Sequence, residues 1–126
     1  MQDYNEPKTI GLTSSTKEML KRLKDDGYFH EMQDGYKFAV GLALSCNAIE
    51  KNMSNSGTMY GTGDMDQNND IYETVKALRP IDCDEPVYKT VERLAEWGVK
   101  ELYEQAQTGE IDFSKLLSAV EKSMKK

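Results

Sequence analysis

The chain is short of the residues that usually announce catalysis, a metal or a membrane. Its 126 residues include one histidine, one tryptophan, two cysteines and three prolines. Cys46 and Cys83 form neither a C-x-x-C pair nor any zinc-ligand spacing, so no metal site is expected. Free thiols in a reducing compartment are the expectation, with Cys46, set in an apolar stretch, as an inert core cysteine. No apolar run approaches the ~20 residues of a membrane span, and Met1 to Lys8 is too polar for a signal peptide. Both absences point to the cytoplasm. Phosphate loops and dinucleotide fingerprints are missing, and the carboxylates fall into no catalytic pair. The expectation is therefore a protein without catalytic residues or cofactor.

Branched and aromatic hydrocarbon is scarce too. Leu, Ile, Val and Phe make up 24 residues, close to the composition of chains that do not fold. Seven Met, seven Tyr and the tryptophan add apolar area. The length is that of one domain able to bury a core. The net charge is −6, split as −1 over residues 1–52 and −5 over 53–126. Such a chain repels phosphate at long range. Any contact with DNA then falls to the near-neutral N-terminal part, while the acidic remainder suits a basic protein partner.

What is present is helical spacing. Residues 1–7 read as a disordered tail and 8–124 as a single, mainly α domain with a small β element. Ile10 and Leu12 alternate with Thr9, Gly11 and Thr13, a short strand pattern. Ser15 and Glu18 have capping-box spacing. Met19, Leu20 and Leu23 form an apolar stripe beside Lys17, Lys21 and Lys24, and Gly27 suits a left-handed helix end. A second helix is expected over about 31–48. Its middle, Phe38 to Cys46, is apolar on nearly every side, so it must be enclosed on every side. The small Ala39, Gly41 and Ala43 admit a close neighbour, and we expect a second subunit to help cover this stretch, making a homo-oligomer. Residues 51–69 have loop chemistry with a short strand around Thr58 to Tyr60. A short helix capped by Asp70 runs to Leu78, stopped by Pro80. A longer one, with Asp84 as N-cap, presents Val87, Val91, Leu94, Ala95, Leu102 and Ala106, and its Gly98 marks a close helix crossing. It ends at Gly109, and a last helix begins at Asp112.

Two constellations carry weak chemistry. Asp64, Asp66, Asn68 and Asp70 alternate like the front of an EF-hand loop, but Asn69 and Val75 stand where that loop needs Gly and a bidentate Glu. A solvated loop with Asx turns is the expectation. His30, Glu31 and Cys46 are read as a helix-edge histidine, its neighbour and a core thiol, not as a nucleophile and base.

The strand-helix-helix run from Lys8 to Ala48 resembles the ribbon-helix-helix repressor family. That resemblance implies strands paired between two chains and laid in the DNA major groove. Thr9, Gly11 and Thr13 would face the groove, Ile10 and Leu12 the core. Ser14 and Ser15 would meet phosphate at a helix N-terminus, and Lys17, Lys21 and Lys24 would follow the DNA backbone. The outward strand positions carry no Arg, Gln or Asn to read bases. Leu23-Lys24 and Leu44-Ser45, flanking an apolar helix with small residues, are also similar to the small E component of the bacterial DNA phosphorothioation machinery. That likeness implies an oligomeric helical protein associated with DNA modification.

Overall fold

The computed structural model describes residues 8–48, 57–78 and 86–108. They form β1 (Thr9–Leu12), α1 (Ser14–Asp25), α2 (Met32–Ser45), β2 (Gly57–Gly61), α3 (Thr62–Met65), α4 (Asp70–Leu78) and α5 (Val87–Thr108). The expected mainly α architecture with a small β element is present. Pro80, Cys83, Asp84, Gly109 and the expected last helix from Asp112 lie outside the described residues.

The ends of α1 and α2 show how locally the sequence sets them. After Asp25 the chain closes with Tyr28 N–H on Leu23 O (3.0 Å) and Gly27 N–H on Lys24 O (2.9 Å). Gly27 has φ 91°, the left-handed conformation of a Schellman cap. The same pair of bonds recurs after α2, where Ala48 N–H reaches Ala43 O and Asn47 N–H reaches Leu44 O. Asn47, φ 54°, stands in the glycine position.

The core centres on the crossing of α2 and α5. Ala39, Val40, Leu42, Ala43 and Leu44 are buried against Val91, Leu94, Ala95, Val99 and Leu102, with Leu20 and Leu23 of α1 and Ile10 and Leu12 of β1 closing the cluster. A Cβ on Gly98 would fall against the backbone carbonyl of Ala39, so the two helix backbones touch there. The close neighbour that the small residues of α2 admit is thus α5. Within a single chain Val40 is only 2 % exposed. This corrects the expectation that a twin subunit covers the stretch, because the 22-residue α5 spans enough length to do so.

β1 pairs antiparallel with β2, with Thr9 opposite Gly61, Ile10 opposite Tyr60, Gly11 opposite Thr58 and Leu12 opposite Gly57. The register slips between Ile10 and Gly11, leaving Met59 as the unmatched residue of a bulge. Gly11 is required at this point, since a Cβ there would overlap the Gly57 carbonyl. The strand around Thr58 to Tyr60 is present as expected, and the one-turn α3 after it was not foreseen.

Candidate functional site

Three side chains of the expected DNA-contacting set stand together on α1. Thr16, Leu20 and Leu23 turn inward and are buried. At 100° per residue, Lys17, Lys21 and Lys24 fall within an arc of about 60° beside that buried stripe, and all three are exposed. Lys21 meets Asp25 at 3.5 Å, an exposed i,i+4 pair of the kind that contributes little. Ser14 and Ser15 are exposed at the helix start, and Thr9 is exposed on β1, its hydroxyl 3.4 Å from that of Thr58.

Gly11 and Thr13 are placed differently. Both are buried, and their backbone N–H groups point to α5, away from β2. Gly11 N–H donates to Glu92 Oε2 (3.0 Å) and Thr13 N–H to Glu96 Oε1 (3.1 Å). The Thr13 and Thr16 hydroxyls donate to Glu96 Oε2 at 2.8 and 2.6 Å. The Tyr36 hydroxyl donates to the Gly11 carbonyl at 3.0 Å. Hence the reading that turned Gly11 and Thr13 toward a groove is corrected: an outward position on an isolated strand is here an edge closed by side chains. The capping box is corrected as well. The N-cap is Thr13, without a side-chain cap bond, and the carboxylate at this positive helix end is Glu96, from another helix.

Glu92 and Glu96 are the residues that sequence reasoning missed. Glu96 is 1 % exposed and Glu92 7 %. Lys100 Nζ approaches Glu96 at 3.5 Å and Lys89 Nζ approaches Glu92 at 3.7 Å, both lysines lying on α5 with the glutamates. The signal was their spacing. Each stands three residues before a core position, Ala95 or Val99, and so lies inside the inward face of α5.

Lys24 also borders an open cleft of about 490 Å³ with His30, Glu31, Met32, Gln33 and Tyr60. The Tyr60 ring meets Tyr36 edge-on, centroids 5.6 Å apart at 80°. Burial first, then the charges of Glu31 and Asp34, raise the Tyr60 phenol above its ordinary value. Tyr36 is pushed up further, by burial first and then by Glu92, Tyr60 and Glu96. A tyrosine protonated more tightly in the fold than in the unfolded chain leaves stability unchanged below the unfolded value of 10.0. Above it, stability should fall by about 1.4 kcal/mol per pH unit. Urea midpoints at about pH 9 and about pH 11 test this: wild type should lose more than Tyr36→Phe, and equal losses would contradict the assignment.

The alternating acidic loop has a structural task. Asp66 accepts from the N–H groups of Ile71 and Tyr72 (both 2.9 Å) and from the Tyr88 hydroxyl (2.8 Å). It therefore caps α4 and ties it to α5, which corrects the assignment of that cap to Asp70. Among the described residues no group of three or more His, Cys, Asp or Glu is placed to hold a metal ion. His30 and Glu31 share the cleft, whereas Cys46 lies at the opposite end of α2, about 20 Å along a 14-residue helix. Cys46 is a free thiol and exposed, not the core cysteine expected, because the buried face of α2 ends at Leu44. Among the described residues no helix is long and apolar enough to cross a membrane.

No protein-family model, curated protein or solved structure matches the chain.

Proposed function

We propose that the protein is DNA-associated, a regulator or an accessory of a DNA-modification or defence system, and that it meets the phosphate backbone through α1. The observation that carries this reading is the exposed flank of Lys17, Lys21 and Lys24, set on a chain of net charge −6. Lys24 continues the flank to the cleft that holds the donors His30 and Gln33 together with the carboxylate of Glu31. Ser14, Ser15 and Thr9 are available at its edges. Gly11 and Thr13 leave the contacting set, since α5 occupies their polar groups. Phosphate contact by lysines positions a protein on DNA and carries no sequence information. The reading is accordingly of backbone recognition. The exposed free thiol of Cys46 fits a reducing cytoplasm.

Binding of a labelled duplex, followed by fluorescence anisotropy from low to moderate salt, tests it. Three lysine-phosphate contacts give a slope of log K against log salt of about −3. Changing Lys17, Lys21 and Lys24 together to Glu should weaken low-salt binding by at least about 100-fold. Unchanged affinity in that variant sinks the proposal. A complete lack of low-salt binding by wild type would favour the second reading, a helical protein-interaction module. That reading rests on a groove of about 400 Å³ between α1 and α5, where Met19, Trp97 and Tyr103 lie beside Glu101, Glu104 and Lys100, a surface of net negative charge that suits a basic partner.

A further inference from the structure

The two edges of the β1–β2 sheet are finished in opposite ways. On the β1 side the N–H groups of Gly11 and Thr13 and the Gly11 carbonyl are each met by a side chain, Glu92, Glu96 and Tyr36, and the Thr13 carbonyl by the Lys17 N–H. On the β2 side nothing comparable occurs. Among the described residues β2 is flanked by β1 and by α3, which follows it directly, and no side chain or backbone group bonds to its outer edge. Unpaired edges are protected by lysine, proline, an inward-pointing charge, shortness or a bulge. Gly57-Thr58-Met59-Tyr60-Gly61 has no charge and no proline, in a chain of which 30 % is charged, and only its five-residue length and the Met59 bulge limit it.

We propose that this edge pairs with the same edge of a second copy, antiparallel about a two-fold axis, to give a four-stranded sheet in the order β1-β2-β2-β1. Two arguments choose a second copy as the occupant. A regular antiparallel edge is its own complement: rotated by half a turn, outward N–H groups meet outward carbonyls of the same strand, and the Met59 bulge confines that match to a few residues. Electrostatics agrees, because contact between copies of a −6 chain costs least where the strand is uncharged. The interface is short, with Met59 and Tyr60 half-exposed beside it. The dimer is therefore a weak one that grows with concentration. The inference stands apart from the DNA reading and is measured without nucleic acid.

Sedimentation equilibrium over a wide concentration range should show exchange between the 14.3 kDa chain and a particle of twice that mass. Thr58 is exposed, so Thr58→Lys should fold normally, as circular dichroism would verify. It places two like charges in the interface and should weaken the dimer about 10-fold. Thr108→Lys adds the same charge at the end of α5 and should leave the dimer constant unchanged. Amide exchange at Gly57–Gly61 should slow as the dimer fills. A chain that stays monomeric at every concentration overturns the proposal. So does a dimer indifferent to Thr58→Lys that gives no protection to β2.

Discussion

Glu96→Ala should cost the protein about 2–5 kcal/mol of stability, the cost of leaving two buried donors without an acceptor at about 1–3 kcal/mol each. The side chain is 1 % exposed, and three donors from the start of α1 converge on its oxygens: the Thr13 amide, the Thr13 hydroxyl and the Thr16 hydroxyl. Truncation leaves the Thr13 amide and the Thr16 hydroxyl without their acceptor in a site that water reaches poorly, while the Thr13 hydroxyl keeps the Thr16 oxygen at 3.0 Å. Much of a typical domain stability of about 5–15 kcal/mol would be gone. Glu96→Gln keeps one carbonyl acceptor, and its amide can donate to a rotated threonine hydroxyl. Its cost should be smaller, about 1–2 kcal/mol. Urea unfolding orders the three proteins as wild type, Gln, Ala. An Ala variant within about 1 kcal/mol of wild type would show that the carboxylate is not what holds α1 and β1 to α5.

Gly98→Ala is the second large effect, and its sign is the informative part. In an ordinary helix interior this change stabilises by roughly 0.5–1 kcal/mol, because Ala loses less backbone freedom than Gly. Here the new methyl meets the Ala39 backbone, its carbonyl carbon 2.6 Å and its Cα 2.7 Å away. No rotamer change relieves a clash with main chain, so α2 and α5 must separate. Overpacking of this kind costs typically about 1–3 kcal/mol, and the loss should fall at the upper end. Gly63 is the control, since a Cβ there meets nothing within 4 Å. Thermal unfolding should place Gly63→Ala at or above the wild-type midpoint and Gly98→Ala several degrees below it. Equal midpoints for the two variants would mean that the helices have room to spare.

Much of this architecture could be read from local signals. Gly27 gave the end of α1, because a left-handed cap needs no knowledge of the rest of the fold. The end of α4 at Leu78 followed from Pro80 just beyond it, and Ile10 and Leu12 turned inward as alternation requires. Gly98 was legible as a crossing point because a mid-helix glycine has few other uses. What failed was mostly inference about which distant residue would supply a contact. Thr13 looked like a polar outward residue because nothing near it in the chain says that Glu96 will bond it. Val40 looked in need of a second subunit because apolar coverage on all sides does not say whose surface supplies it. Cys46 looked buried because the last turn of α2 rotates it past the core, a matter of one residue. Of the candidate site, exposure of Lys17, Lys21 and Lys24 could be read from their offset to Leu20 and Leu23. The cleft shared with Tyr60 could not, since it joins residues from opposite sides of a long connection.

The polar closure of β1 also dictates an order of events during biosynthesis. Gly11 and Thr13 find their acceptors 81 and 83 residues downstream. When the first third of the chain has left the ribosome, the strand therefore has a bare flank and the first helix lacks its anion. Contacts so far apart in sequence form late and slowly. Until α5 emerges, the nascent strand can be satisfied only by water, by a chaperone or by a neighbouring nascent chain. A message truncated between codons 78 and 92 should accordingly yield an aggregating product, for want of the core face of α5 as well as its two glutamates.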